Sequence, residues 1–173
     1  MKISSLILLG SLIFVSTFAA DGAERTAAQP DRQRSIDDLL AGRFKWSASP
    51  VLVSPAMRPD DPCHAIKDPS VVRHGDRWHL FCTIRSQKRT HQIEYLSFDD
   101  WKNANTTQRH VLKLSDGYFC APQVFYFTPH QKWYLICQVS DDSRKPSLQP
   151  AWSTASRIDA PDSWSKPTLL FSE

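Results

Sequence analysis

The chain of 173 residues is long enough for one domain, and its 41% hydrophobic residues provide a core, which excludes a disordered chain and a collagen-like fibre. Its 21 basic and 18 acidic residues leave a net charge of +3, too small to indicate a nucleic acid or a membrane surface as partner. Six Trp, nine Phe and four Tyr beside only five Gly favour a β-rich domain that carries aromatic surface.

The N-terminus has the pattern of a secretory signal peptide. Met1 and Lys2 precede an apolar run from Leu6 to Phe18, which is shorter than the roughly 20 helical residues that span a bilayer. Small residues that suit cleavage follow this run, so we predict a signal peptide over residues 1–22. The mature protein is then expected to be secreted or periplasmic, with no membrane attachment after cleavage.

A polar segment follows the signal peptide. Residues 23–42 are rich in charged and polar side chains, as in a leader that precedes a folded domain. Ser35, the acidic pair that follows it and Gly42 predict one or two capped helical turns within this leader. We therefore place the folded domain at residues 43–173.

The cysteine and histidine spacings define no metal site. Cys63, Cys82, Cys120 and Cys137 permit three disulfide pairings in an exported protein, and the sequence does not choose among them. No Cys-x-x-Cys occurs, and the six His lack the spacing of metal ligands. We therefore expect no zinc site.

An internal repeat organises the rest of the chain. The first unit runs from Pro69-Ser70-Val71-Val72 through Trp78 to Cys82, and the second runs from Pro122-Gln123-Val124-Phe125 through Trp133 to Cys137. The offset between the units is 53 residues at the proline and 55 residues at the tryptophan and cysteine. A polar turn divides each unit into two strands, and the match continues into later strands, which gives about four strands in each unit.

A period of this length with four strands is typical of a β-propeller blade. The units span residues 65–114 and 118–171, so the chain is predicted to be all-β with about two blades. A closed propeller needs at least four blades, so the end of the sequence after Phe171 is interpreted as that of a partial propeller. The alternative is two unrelated hairpins in a β-sandwich.

The starts of the two units hold the candidate active-site residues, because propellers place substrates at the ends of their innermost strands. Lys67-Asp68-Pro69 opens the first unit and Ala121-Pro122-Gln123 opens the second. A carboxylate beside a lysine has the chemistry of a general base that holds a water for attack. The alternative is an ordinary Asp-Pro turn.

The sequence resembles glycoside hydrolase family 62, whose members are secreted α-L-arabinofuranosidases. The resemblance covers residues 43–173 and is most specific between Tyr118 and Ile136. It is carried by the segments Phe44–Ser47, Pro50–Leu52, His64–Ser70, Tyr118–Phe127 and Lys132–Ile136. Relatives in family 43 usually have Asp where this chain has Gln123, which favours family 62.

The resemblance implies a five-bladed β-propeller that removes arabinofuranosyl branches from arabinoxylan, or from arabinose-containing oligosaccharides, with inversion of configuration. Inversion requires a base and an acid about 6.5–9.5 Å apart. Asp68 matches the family's general base, Lys67 is expected beside it in the furanose pocket, and Gln123 is expected to hydrogen-bond sugar hydroxyls. No cofactor is expected, although the family often holds a structural cation in the channel through residues of later blades.

The general acid is not identified in this sequence. The family's acid and the aspartate that tunes it come from later blades, and none of the remaining carboxylates matches their motifs. The carboxylates considered are Asp141, Asp142, Asp159, Asp162 and Glu173. An inactive or purely carbohydrate-binding propeller fragment is therefore the alternative function. A retaining fructan-active enzyme, with Asp68 as nucleophile, is disfavoured by Gln123.

Overall fold

The computed structural model describes residues 29–43 and 47–171. The chain divides into two compact units, residues 1–48 and 49–173. The first contains helix α1, Gln29–Leu40, which begins six residues before the predicted start at Ser35. Gly42 follows the helix with φ +69°, in the left-handed region that commonly ends helices. The predicted signal peptide lies outside the described residues, and no described helix is long and apolar enough to span a membrane.

The second unit is built from two antiparallel sheets of four strands each. The first sheet has the order β1-β2-β3-β4 and the second β5-β6-β7-β8, so each is a consecutive meander. This confirms the predicted all-β fold with two blade-like units. The strands are β1 (Cys63–His74), β2 (Arg77–Ser86), β3 (Gln92–Phe98), β4 (Arg109–Val111), β5 (Phe119–Phe127), β6 (Lys132–Ser140), β7 (Leu148–Ala155) and β8 (Thr168–Leu169).

The main core lies between the two sheets. Side chains alternate along β6, so that Trp133 and Leu135 are buried while Tyr134 between them faces the other way. Trp133 and Leu135 belong to one apolar cluster with Phe81 and Tyr95 of the first sheet. The repeated tryptophan of the second unit therefore packs between the sheets.

A second apolar cluster covers the opposite face of the first sheet. Leu80, Cys82 and Leu96 form its centre, and the partly buried Trp78 packs against it. The Trp78 ring lies 5.7 Å from the ring of Trp101. The two repeated tryptophans thus both serve packing, on corresponding faces of successive sheets.

All four cysteines lie in the described part of the chain, and each is a buried free thiol. None of the three disulfide pairings that the sequence permits is formed. Burial, with a smaller effect of the neighbouring Cys120, raises the pKa of the Cys137 thiol to about 12. A thiol with such a pKa stays protonated at neutral pH and behaves as a small apolar side chain.

Candidate active site

The innermost strand of the first sheet is interrupted where the candidate base lies. Lys67 pairs with Thr83 and Ser70 pairs with Phe81, so two residues of β1 bulge out opposite a single residue of β2. Asp68 is the first residue of this bulge and has φ +51°. A left-handed backbone costs a non-glycine residue roughly 1–2 kcal/mol, although Asp tolerates it better than most.

The second sheet repeats this irregularity. Cys120 pairs with Gln138 and Gln123 pairs with Ile136, which leaves the same two-residue bulge in β5. Ala121 begins it with φ +54° and, like Asp68, precedes a proline. The repeat therefore extends to backbone conformation, with a carboxylate in the first blade where the second has a methyl group.

The structure brings Lys67 and Asp68 together on the surface. The Lys67 Nζ atom lies 3.9 Å from Asp68 Oδ2, and the two side chains are 49% and 39% exposed. An ion pair this exposed adds little to stability. Both groups are instead accessible to a ligand, and local strain at an exposed polar position is characteristic of functional sites.

Two aromatic residues that the sequence analysis did not assign to the site lie near this pair. The Tyr118 and His91 rings are 4.8 Å apart. Burial, the hydrogen bond with Cys120 and the negative charge of Asp68 together raise the pKa of Tyr118 to about 12. Burial lowers the pKa of His91, and the positive charges of Arg85 and Lys67 lower it further. The sequence feature that could have pointed to Tyr118 is its place at the start of the segment that most specifically resembles family 62.

The Tyr118 hydroxyl is held in place by hydrogen bonds. It donates to Gln138 Oε1 over 3.2 Å and accepts from Cys120 Sγ at 3.1 Å. Because Gln138 and Cys120 are directly paired across β5 and β6, the ring is fixed to the bulged part of the second sheet.

Gln123 lies on β5, the inner strand of the second sheet. Its side chain is exposed, whereas the next residue, Val124, is buried in the core between the sheets. Among the described contacts, Gln123 makes no hydrogen bond to Lys67 or Asp68. The structure therefore supports a compact Lys67–Asp68 pair and places Gln123 on the neighbouring inner strand.

Several other carboxylates serve as structural partners. Asp141 Oδ1 accepts from the Ser143 amide at 3.0 Å, as in a polar turn. Asp159 pairs with Arg157 at 2.8 Å and Asp162 pairs with Lys113 at 3.1 Å. Each of these three carboxylates therefore has a local polar partner in the described structure.

A large cavity lies apart from the Lys67–Asp68 pair. It has a volume of about 1020 Å³ and contains none of the three predicted site residues. It is lined mostly by residues that follow β2, β4 and β6, among them Arg89, Leu114, Asp116 and Asp142. Within the described residues, no three His, Cys, Asp or Glu side chains are grouped to hold a metal ion.

Two successive four-stranded meanders, packed face to face with a bulge in each inner strand, define part of a β-propeller. No protein-family model matches the chain. The α-L-arabinofuranosidase C of Cellvibrio japonicus is 34% identical over 126 residues, which cover 69% of this chain and 19% of that enzyme.

Solved structures give the same result. The catalytic domain of the Coprinopsis cinerea GH62 α-L-arabinofuranosidase matches with a TM-score of 0.65 and 36% identity, over 75% of this chain and 38% of that domain. A GH62 hydrolase in complex with xylotriose matches with a TM-score of 0.64 and 30% identity, over 74% of this chain and 37% of that one. This chain is a relative of the family 62 α-L-arabinofuranosidases, as the sequence resemblance predicted, and it spans less than two-fifths of the length of these solved structures.

Proposed function

We propose that this chain carries the general-base side of an α-L-arabinofuranosidase active site, which removes arabinofuranosyl branches from arabinoxylan with inversion. Asp68 is the general base, and Lys67 and Gln123 bind the sugar. The observation that supports this most directly is the bulge that holds Asp68 at φ +51° with its carboxylate beside the Lys67 ammonium and open to solvent. The relatives named above provide the reaction class.

The reaction begins with a water held by the Asp68 carboxylate. Asp68 accepts a proton from this water as the water oxygen bonds to the anomeric carbon of arabinofuranose, on the side opposite the leaving oxygen. The bond from that carbon to the leaving oxygen breaks, and a general acid protonates the oxygen. Asp141, Asp159 and Asp162 each have a structural partner. By family resemblance the acid is assigned to a later blade, because none of the other carboxylates considered in this sequence matches its motif.

Lys67 and Gln123 provide the polar contacts for the sugar. The Lys67 ammonium has three donors, and the Gln123 amide both donates and accepts, which suits the hydroxyls of a furanose. A solved relative is a complex with xylotriose, which favours a xylan backbone as the chain that carries the branch.

The test compares the wild-type chain with Asp68→Asn in release of arabinose from an aryl α-L-arabinofuranoside, because a phenolate leaves without protonation by the general acid, which is assigned to a later blade. Asparagine is the better substitution because it tolerates the left-handed backbone, whereas alanine adds strain at φ +51° and confuses lost chemistry with lost stability. Asp76→Asn, in the exposed turn between β1 and β2, is the matched control. We expect release that is lost in Asp68→Asn and retained in Asp76→Asn.

The first sugar product distinguishes the mechanism. Proton NMR during the reaction should show the β-anomer of arabinofuranose first, since inversion changes the configuration of an α-linked branch. Initial release of the α-anomer would contradict inversion. Folded protein that binds the polymer but releases no arabinose would indicate the carbohydrate-binding function instead.

Export is the second part of the proposal. The charged start, the apolar run from Leu6 to Phe18 and the small residues after it support a cleaved signal peptide. Expression of the full chain followed by N-terminal sequencing of the exported product should place the new N-terminus near residue 23. Retention of Met1 on the exported protein would contradict it.

A further inference from the structure

The inner strand of the second sheet is an edge strand that the first sheet supports with two hydroxyl groups. Among the described strands, β5 pairs only with β6. The Ala121 amide donates to Thr83 Oγ1 over 2.8 Å, and the Val124 amide donates to Ser70 Oγ over 2.9 Å. Thr83 is fully buried and Ser70 is 8% exposed, so water does not replace either acceptor readily.

Thr83 touches both bulges. Its backbone pairs with Lys67, the last regular pair before the bulge that holds Asp68. Its hydroxyl accepts the amide of Ala121, the residue that corresponds to Asp68 in the second sheet. One side chain therefore connects the strained backbone at Asp68 to the strained backbone beside Gln123.

The repeat shows that this connection is not a general feature of the blade. The residues of the second sheet that correspond to Ser70 and Thr83, by their pairing around the bulge, are Gln123 and Gln138. Neither is a small hydroxyl residue. The Thr83 contact is therefore particular to the junction where the Lys67–Asp68 pair lies.

We propose that Thr83 is a positioning residue of the sugar-binding site: its hydroxyl fixes the bulge of β5, and with it Gln123 and Tyr118, relative to Asp68. This inference rests on the proposed function, because it assigns the sugar contacts to both strands. A shift of about 1 Å between such groups is enough to lower activity by about a hundredfold.

Three variants of the full chain test this role. Thr83→Val replaces the hydroxyl by a methyl group of nearly the same size, and Thr83→Ser keeps the acceptor. Ser70→Ala removes the other hydroxyl contact between the sheets and serves as the control for a lost hydrogen bond. Amide hydrogen exchange at Ala121 should accelerate about tenfold in Thr83→Val and stay unchanged in Thr83→Ser.

The functional readout is the affinity for arabinofuranosyl-substituted xylotriose, with unsubstituted xylotriose as reference, measured at temperatures where all variants are folded. We expect Thr83→Val to bind the substituted sugar about tenfold more weakly, Thr83→Ser to restore binding, and Ser70→Ala to lose thermal stability with little change in affinity.

The possible results distinguish failure of the positioning role of Thr83 from failure of the proposed function, on which that role rests. Wild-type affinity in folded Thr83→Val, or an equal loss in Ser70→Ala, would reject the positioning role while the proposed function stands. A wild-type chain that is folded but binds neither sugar would reject the proposed function for this chain and the inference with it.

Discussion

Glu94 should be the carboxylate on which the fold of the first sheet depends most. Its side chain is fully buried on β3, where it contacts Arg58 and accepts from Arg109 Nη1 at 3.2 Å. Arg109 also donates to the Ser54 carbonyl over 2.8 Å, so the cluster joins the segment before β1 to the sheet. Glu94→Gln removes the negative charge that contacts two guanidinium groups, whose side chains are 25% and 11% exposed.

Breaking a buried ion pair from one side costs about 3–5 kcal/mol, and the partly exposed Arg58 favours the lower end, about 3 kcal/mol. For a chain of this size each kcal/mol lowers the melting temperature by about 2–4 °C, so Glu94→Gln should melt roughly 6–12 °C lower. Thermal unfolding followed by circular dichroism and tryptophan fluorescence measures this. Asp159→Asn, which breaks the exposed pair with Arg157, is the control and should cost less than about 1 kcal/mol. A Glu94→Gln loss as small as the control's would refute the reasoning.

Three further substitutions test the packing of the core, the strain at one backbone position and the loss of stability at acid pH. Leu135→Ala, at a fully buried position between the sheets, should cost about 2–5 kcal/mol and keep one coincident transition by both probes; two separate transitions would mean that the sheets unfold independently. Gln131→Gly should raise the melting temperature by a few degrees, since Gln131 is exposed at φ +51° and glycine avoids a strain of about 1–2 kcal/mol; a lower melting temperature would contradict this. Burial raises the pKa of Asp61, but hydrogen bonds from the Lys88 amide and the Ser86 hydroxyl outweigh it, so the net pKa lies below its ordinary value of 3.8. The free energy that Asp61 contributes to folding is therefore fully present above pH 3.8 and is lost as the pH falls through the lower pKa of the folded state. Asp61→Asn should make the free energy of unfolding, measured by urea titration, depend less on pH in this acid range. An unchanged pH dependence would refute the assignment.

The strand pattern and the repeat were readable from the sequence because they depend on local signals. Alternating apolar residues around two polar turns mark β1–β2 and β5–β6, and the fixed offset of Trp78 and Trp133 marks the blade period. Dependence on local signals also explains why the predicted start of α1, at Ser35, was wrong. The acidic pair after Ser35 resembles a helix start, but the backbone is already helical from Gln29.

The Lys67–Asp68 pair could be predicted because its two members are adjacent in the chain. The left-handed backbone of Asp68 could not, since non-glycine residues adopt it only where surrounding contacts hold them there. The sequence also could not predict whether the cysteines form disulfides. Their burial as free thiols follows from packing within and between the sheets, which the spacing alone does not determine.

Thr83 illustrates why the remainder of the site was missed. It lies 38 residues from Ala121 in sequence, in a stretch of β2 whose pattern indicates only a buried strand. The role of Thr83 depends on the folded structure, in which its hydroxyl on the first sheet accepts a hydrogen bond from the Ala121 amide in the bulge of the second. In a propeller the inner strands of successive blades lie side by side around the channel, at the mouth of which substrates bind. The residues that position a propeller active site are therefore expected to be small polar side chains on the second strand of a blade. Internal repeats reveal them as the positions where equivalent blades differ, as Thr83 and Gln138 do.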